Sequence, residues 1–298
     1  MPHLLPILAL VFNAFVWGVS WWPFRQLHAA GLHPLWATAL MYALALACLL
    51  LVRPQALRSA RQHPALWLLA LSSGLTNVAF NWAVTVGDVV RVVLLFYLMP
   101  AWSVLLAWKM LGERPTGVAL VRLLLAFAGV ALVLVPADAA WTRLAAHLSG
   151  ADLLALAGGL CFALTNVMLR RLHAVPGDAR MLAMFGGGAL LAGFSAMLGL
   201  AAGAVPALPA LAQAWVPLAL ALSLAFLLGN YALQYGAARL AAGTTALVML
   251  SELVFAGLSS ALLTSATLAP RTLLGGALIM LAALLAALPS LQRPSVSA

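Results

Sequence analysis

Residues 34–52 read PLWATALMYALALACLLLV, nineteen positions without a charge. A helix of about 20 mostly apolar residues crosses the hydrocarbon core of a bilayer. The rest of the chain offers no hydrated shell that could bury such a stretch. Of 298 residues, 65% are hydrophobic and only 7% are charged, against about 25% charged in soluble domains. Mean hydropathy is +1.10. The apolar surface must therefore face lipid, and residues 34–52 are one span of several.

Outward from that stretch the same signature recurs. Ten spans are predicted, near 4–24, 34–52, 64–86, 90–111, 116–136, 150–170, 181–203, 213–236, 244–265 and 271–289. The connections are short and leave no room for a soluble domain. The runs are continuously apolar, not alternating over about 10 residues as in an outer-membrane barrel. The fold class expected is an all-α integral membrane protein. Met1-Pro2-His3-Leu4 has no basic residue before the apolar run, so the first segment reads as a retained span, not a cleavable signal peptide. Residues 290–298 read as a disordered cytoplasmic tail.

The net charge of +9 does not point to nucleic acid, because the basic residues are scattered over connections and form no stripe. They set orientation instead. With a cytoplasmic N-terminus, eleven of the fifteen basic residues fall inside, including Arg53, Arg58, Arg61, Arg170 and Arg171. Arg25, Arg91, Arg143 and Arg271 fall outside. Both termini are thus expected in the cytoplasm of a bacterial cell, with the chain in its inner membrane. Cys48 and Cys161 lie inside spans and form neither a disulfide framework nor a metal site.

The chain also repeats itself. Asn77-Val78-Ala79-Phe80-Asn81-Trp82-Ala83 resembles Asn230-Tyr231-Ala232-Leu233-Gln234-Tyr235-Gly236, 153 residues later. Trp17 through Arg25 aligns with Phe162 through Arg170, 145 residues later. Two five-span repeats follow, 1–142 and 143–289. Five is odd, so the second inserts upside down relative to the first. Inverted repeats are typical of secondary transporters, with the substrate site near the bilayer midplane where the halves meet.

Polar side chains inside lipid-embedded helices are costly and face the bundle interior. Asn77 and Asn81 stack on one face of the third span, and Asn230 and Gln234 on one face of the eighth. Asn166 lies in the sixth. Amides offer donors and acceptors, which suits a zwitterion; helix–helix hydrogen bonding explains them equally well. Trp17, Tyr97 and Trp102 sit deep enough to stack on an apolar or aromatic substrate, with Trp21 and Phe162 as further candidate binding residues; lipid-facing packing explains the aromatics equally well. Trp67, Trp141 and Trp215 lie at span ends and read as interfacial belts. Pro100 should kink the fourth span near Phe96. Glu252 is the one acidic residue well inside a span and is the candidate for proton coupling. Asp88 and Arg91 read as a helix cap or a local ion pair. The Gly186-Gly187-Gly188 run reads as a close helix contact.

Several of these residues carry a family likeness. Arg91…Leu95-Phe96-Tyr97-Leu98-Met99-Pro100…Leu111-Gly112-Glu113-Arg114, Trp17-Gly18 and Asn166…Arg170-Arg171 resemble the drug/metabolite transporter superfamily, EamA type. The aromatic content is similar to its branch of aromatic amino-acid exporters. The resemblance implies ten helices, duplicated five plus five, and export of small metabolites, often amino acids. It departs from the family where Glu252-Leu253 replaces the usual Glu-Pro and where Ala266 stands opposite Glu113.

The expected function is a secondary transporter working by alternating access through a central cavity, without enzyme activity, cofactor or metal. Its partners would be a small-molecule substrate and the bilayer, not nucleic acid, and a monomer would suffice. The chain has no phosphate-binding G-x-x-x-x-G-K-[ST] motif. A lipid-modifying membrane enzyme or a drug efflux pump of the same fold are the alternatives. The six acidic residues are unclustered, which weighs against the enzyme.

Overall fold

The computed structural model describes residues 4–111, 117–134, 148–172, 174–210, 215–237, 248–249, 251–264 and 269–287. Every regular element among them is an α-helix. The order is α1 (Leu4–Val19), α2 (Trp21–Ala29), α3 (Pro34–Val52), the short α4 (Ala56–Arg61), α5 (Leu66–Val86), α6 (Val89–Phe96) and α7 (Met99–Leu111). There follow α8 (Gly117–Leu134), α9 (Gly150–Arg171), α10 (Gly177–Ala201), α11 (Trp215–Ala237), α12 (Ser251–Thr264) and α13 (Pro270–Ala287).

Five helical segments are long and apolar enough to cross a membrane: Leu4–Ala29, Pro34–Val52, Gly150–Leu169, Gly177–Ala201 and Trp215–Leu233. Ser251–Thr264 and Pro270–Ala282 are shorter apolar helices. The 21-residue α5 falls outside the first set because it is the polar helix of the bundle. It carries Ser72, Ser73, Thr76, Asn77, Asn81 and Thr85, all buried. The outward faces are apolar, with Leu51, Leu124, Leu190 and Leu262 exposed, a surface that water would not tolerate at this extent.

Two expected spans are broken, and each break follows one rule. Proline has no N–H, so the carbonyl four residues earlier loses its helical partner. Pro100 accounts for the end of α6 at Phe96, and α7 restarts at Met99. Pro23 acts in the same way on Val19, where α1 ends; the Ser20 hydroxyl then donates to the Trp17 carbonyl at 2.8 Å. The first segment runs on as α2 to Ala29, five residues beyond the predicted end. At the other extreme, α12 begins at Ser251, and residues 244–247 of the predicted ninth span lie outside the described residues.

Helix α5 packs against α9 and α10, α3 against α10, α1 against α11 and α12, α6 and α7 against α9, and α8 against α13. Apolar burial does not drive helices together in lipid, so close van der Waals approach must. A Cβ at Gly187 would lie 2.0 Å from the Ala70 carbonyl oxygen, and one at Gly188 would lie 2.7 Å from the Tyr42 ring. The third member of that run, Gly186, faces open space.

Candidate functional site

Trp17 of α1 lies between α11 and α5. Its ring centroid is 4.5 Å from that of Phe226 and 6.0 Å from that of Phe80. Phe80 is 4.6 Å from Phe96, which is 5.4 Å from Phe162 of α9. The rings meet edge-on or tilted, as their quadrupoles favour. One aromatic layer therefore runs from α11 through α1, α5 and α6 to α9.

Contacts along the helices fix their directions. Trp17 meets Phe226 while Asn13 meets Gly229, so α1 and α11 run antiparallel. Gly158 lies against Phe80 while Thr165 meets Ser72, so α5 and α9 also run antiparallel. Trp17 meets Phe80 and Arg25 meets Val84, so α1 and α5 run parallel. Asn13, Asn77, Asn166 and Asn230 consequently all lie about one turn to the same side of the aromatic layer. Tyr97 follows Phe96 on that side.

This polar layer is hydrogen-bonded, but not completely. The Tyr42 hydroxyl donates to Asn77 Oδ1 at 2.5 Å, and Asn77 Nδ2 donates to the Ser73 carbonyl at 2.7 Å. Asn230 Nδ2 donates to the Phe226 carbonyl at 2.9 Å, within its own helix. The Tyr97 hydroxyl donates to Glu252 Oε2 at 2.8 Å, and both side chains are buried. Asn13 Nδ2 donates to the Gly229 carbonyl at 2.9 Å. Its buried Oδ1 has no hydrogen-bond partner among the described residues. Outside this layer, one residue past Phe80, Asn81 donates to Thr38 Oγ1 at 3.1 Å and keeps a buried Oδ1 without a partner among the described residues. Such an oxygen, left unpaired, costs about 1–3 kcal/mol.

Of the residues singled out from sequence, Trp17, Asn77, Tyr97, Phe162, Asn166 and Asn230 share these two layers, and Glu252 joins them through Tyr97. Trp21 has spent its polar atom: Nε1 donates to Ser259 Oγ at 2.9 Å, and the Arg25 guanidinium sits 5.0 Å over its ring. Trp102 packs against the same core cluster but is outside the ring chain, edge-on to Phe127 at 6.3 Å, with a buried Nε1 that has no partner among the described residues. The side chains of Gln234 and Pro100 lie outside the described residues. Trp215 does not belong to an exposed belt. It is buried, and Nε1 donates to the Ala210 carbonyl at 3.2 Å. Trp67 is exposed, and Trp141 lies outside the described residues. Asn13 and Tyr42 escaped the sequence reading, although each is a polar group in mid-span and so carries the signal that singled out Asn77.

A second polar cluster lies at one end of the bundle. Asp88 caps α6 by accepting from the Arg91 backbone N–H at 2.8 Å. Ser149 and Asp152 form a reciprocal capping box on α9, with bonds of 2.9 and 3.1 Å. The Arg91 guanidinium does not pair with Asp88. It grips Asp152 in bidentate fashion, Nε to Oδ1 at 2.8 Å and Nη2 to Oδ2 at 2.9 Å. Nearby, Arg25 donates to the Val84 carbonyl at 3.3 Å and to the Gly87 carbonyl. An open cavity of about 690 Å³ lies here, lined among others by Trp82, Val86, Arg91, Ser149, Asp152 and Leu154.

Residues 4–135 match the EamA-like transporter family. No curated protein sequence matches the chain. A solved crystal structure of a protein 18% identical in sequence superposes with a TM-score of 0.62, covering 94% of this chain and 96% of that one. At that identity the likeness speaks for the fold alone.

Proposed function

We propose that the whole chain is an EamA-type member of the drug/metabolite transporter superfamily, acting as a secondary exporter of small metabolites. Amino acids are the substrate class, apolar and aromatic ones first. It works in a bacterial inner membrane, as a monomer, with both termini in the cytoplasm. The observation that carries this reading is the family match, which ends at residue 135, one residue past the end of α8. The helix pairing is the reason to extend it to the second half.

On the ten-span reading, α1 and α2 correspond to α9, α3 to α10, α5 to α11, α6 and α7 to α12, and α8 to α13. Under that exchange the contacts map onto each other. The pairing of α5 with α9 becomes that of α1 with α11, and α6 and α7 with α9 become α1 with α12. The contacts of α3 with α10 and of α8 with α13 map onto themselves. A pseudo-twofold arrangement of this kind supports alternating access by exchange of the two repeats' conformations. Substrate would then sit at the junction, with its apolar part against Trp17 and Phe162 and its polar end on Asn77, Asn166 and Asn230. Glu252, tied to Tyr97, is the candidate for coupling transport to a proton.

The test is flux. The purified protein in liposomes should accelerate saturable movement of one or a few labelled amino acids without ATP. A screen of the twenty amino acids, with and without a pH gradient, reads substrate class and coupling together. Absence of saturable flux for all twenty would remove the amino-acid assignment.

A further inference from the structure

We propose that the Arg91–Asp152 pair is a one-sided latch that closes the way from this open cavity into the bundle interior and makes the form closed at this end the resting conformation. The inference rests on the two-repeat reading above. Arg91 opens the fourth span and Asp152 opens the sixth, so the pair crosses from one repeat to the other. A bidentate guanidinium–carboxylate contact is the strong, directional form of an ion pair. This one is shielded: the Asp152 side chain is 2% exposed and that of Arg91 27%. Asp152 is held in place independently by the Ser149 capping box, so the anchor is rigid.

The pair marks the floor of the opening. Leu154 still lines the cavity. Ala155, one turn deeper on α9 than Asp152, is 0% exposed and packs in the aromatic core with Phe96. The packed core therefore begins about one turn below the pair on α9.

An inverted repeat would place an equivalent latch at the opposite end if its residues were duplicated. They are not. The repeat aligns Asp88 with Ala241 and Arg91 with Thr244, 153 residues apart, and Asp152 with Ile7, 145 residues apart. None of the three counterparts carries charge, so the same pair cannot form there. A contact that exists in only one of two exchanging conformations shifts their populations by its own free energy.

The experiment reads opening without transport. Cys48 and Cys161 are replaced by Ala, and a single cysteine is introduced as Ala155→Cys in detergent-purified full chain. Its reaction rate with a membrane-impermeant maleimide is followed in the parent, in Arg91→Gln and in Asp152→Asn. The rate should rise by at least about tenfold in both, the change that about 1.4 kcal/mol makes in an equilibrium. A control cysteine at Ala183, buried among Leu69 and Met168 in a separate core cluster, should stay slow. Equal rates in parent and variants overturn the latch, as does a matching rise at Ala183, which would report general loosening. If Asp152→Asn fails to fold for want of its cap, Arg91→Gln decides alone. A latch confirmed by labelling together with no flux in liposomes would count against the transport reading and not against the latch.

Discussion

The Tyr97 hydroxyl donates a 2.8 Å hydrogen bond to the carboxyl group of Glu252, tying the break between α6 and α7 to the first turn of α12. Both groups are buried, and they stand 155 positions apart in the chain. A buried carboxyl group that loses its donor keeps its full desolvation cost. Tyr97→Phe retains the ring and removes only the hydroxyl. It should lower stability by about 1–3 kcal/mol, read as a drop in melting temperature in detergent. Glu252→Gln leaves an acceptor for the hydroxyl and should cost less than Tyr97→Phe. An unchanged melting temperature for Tyr97→Phe would mean that the bond does not form.

Asn77 and Tyr42 allow a cleaner partition. Asn77→Ala leaves the buried Tyr42 hydroxyl without its partner and should cost about 1–3 kcal/mol. Tyr42→Phe in that background removes the orphan, so the double variant should be no less stable than Asn77→Ala alone. By contrast, among the described residues Asn230 bonds within its own helix. Asn230→Ala should leave the melting temperature nearly unchanged while reducing flux in liposomes. Additive losses in the double variant would show that the two side chains do not interact.

Composition alone placed the chain in a membrane, and one rule about proline placed the break at Phe96. The same rule applied to Pro23 gives the second break at Val19, although a proline so near a span end is also compatible with an unbroken span. Asn77 and Asn230 stood out because polar atoms are conspicuous in apolar sequence. Asn13 and Tyr42 carry the same signal. What could not be read was pairing at long range. Nothing within four residues of Arg91 tells it to pass over Asp88 for Asp152, 61 positions away. Asp88 already accepts from the backbone of its own helix, and the packing of α6 on α9 brings the better partner near. Trp215 failed for a related reason. A tryptophan at a span end reads as a belt residue until tertiary contacts cover it.

His33 supplies a pH dependence outside the spans. Its ring Nδ1 accepts from the Leu35 N–H at 3.3 Å and caps α3. Burial, and then the neighbouring His28, hold its pKa below the ordinary value of 6.5. The unfolded chain therefore takes up a proton first as the pH falls. This contribution to stability is complete above that ordinary value and is lost as the pH drops below about 6.5. Protonation would also abolish the capping acceptor. His33→Asn keeps a capping oxygen and does not titrate, so it should flatten the fall in melting temperature between about pH 7 and pH 5.5. A fall of equal size in parent and variant would assign it to other groups.

The glycine run on α10 offers the sharpest contrast between neighbours of identical chemistry. A Cβ at Gly187 would stand 2.0 Å from the Ala70 carbonyl oxygen and 2.6 Å from its carbon. Backbone cannot rotate away as a side chain can, so α10 and α5 must separate along their contact. Overpacking of this kind costs about 1–3 kcal/mol or more, and the displaced helix carries Asn77 with it. A Cβ at Gly186 meets nothing within 4 Å, and alanine there gains up to about 1 kcal/mol of helix propensity. Gly187→Ala should thus lower the melting temperature sharply, while Gly186→Ala leaves it equal or slightly raised. Melting both variants in one detergent decides the matter, and equal behaviour of the two would mean that α5 and α10 do not touch at Gly187.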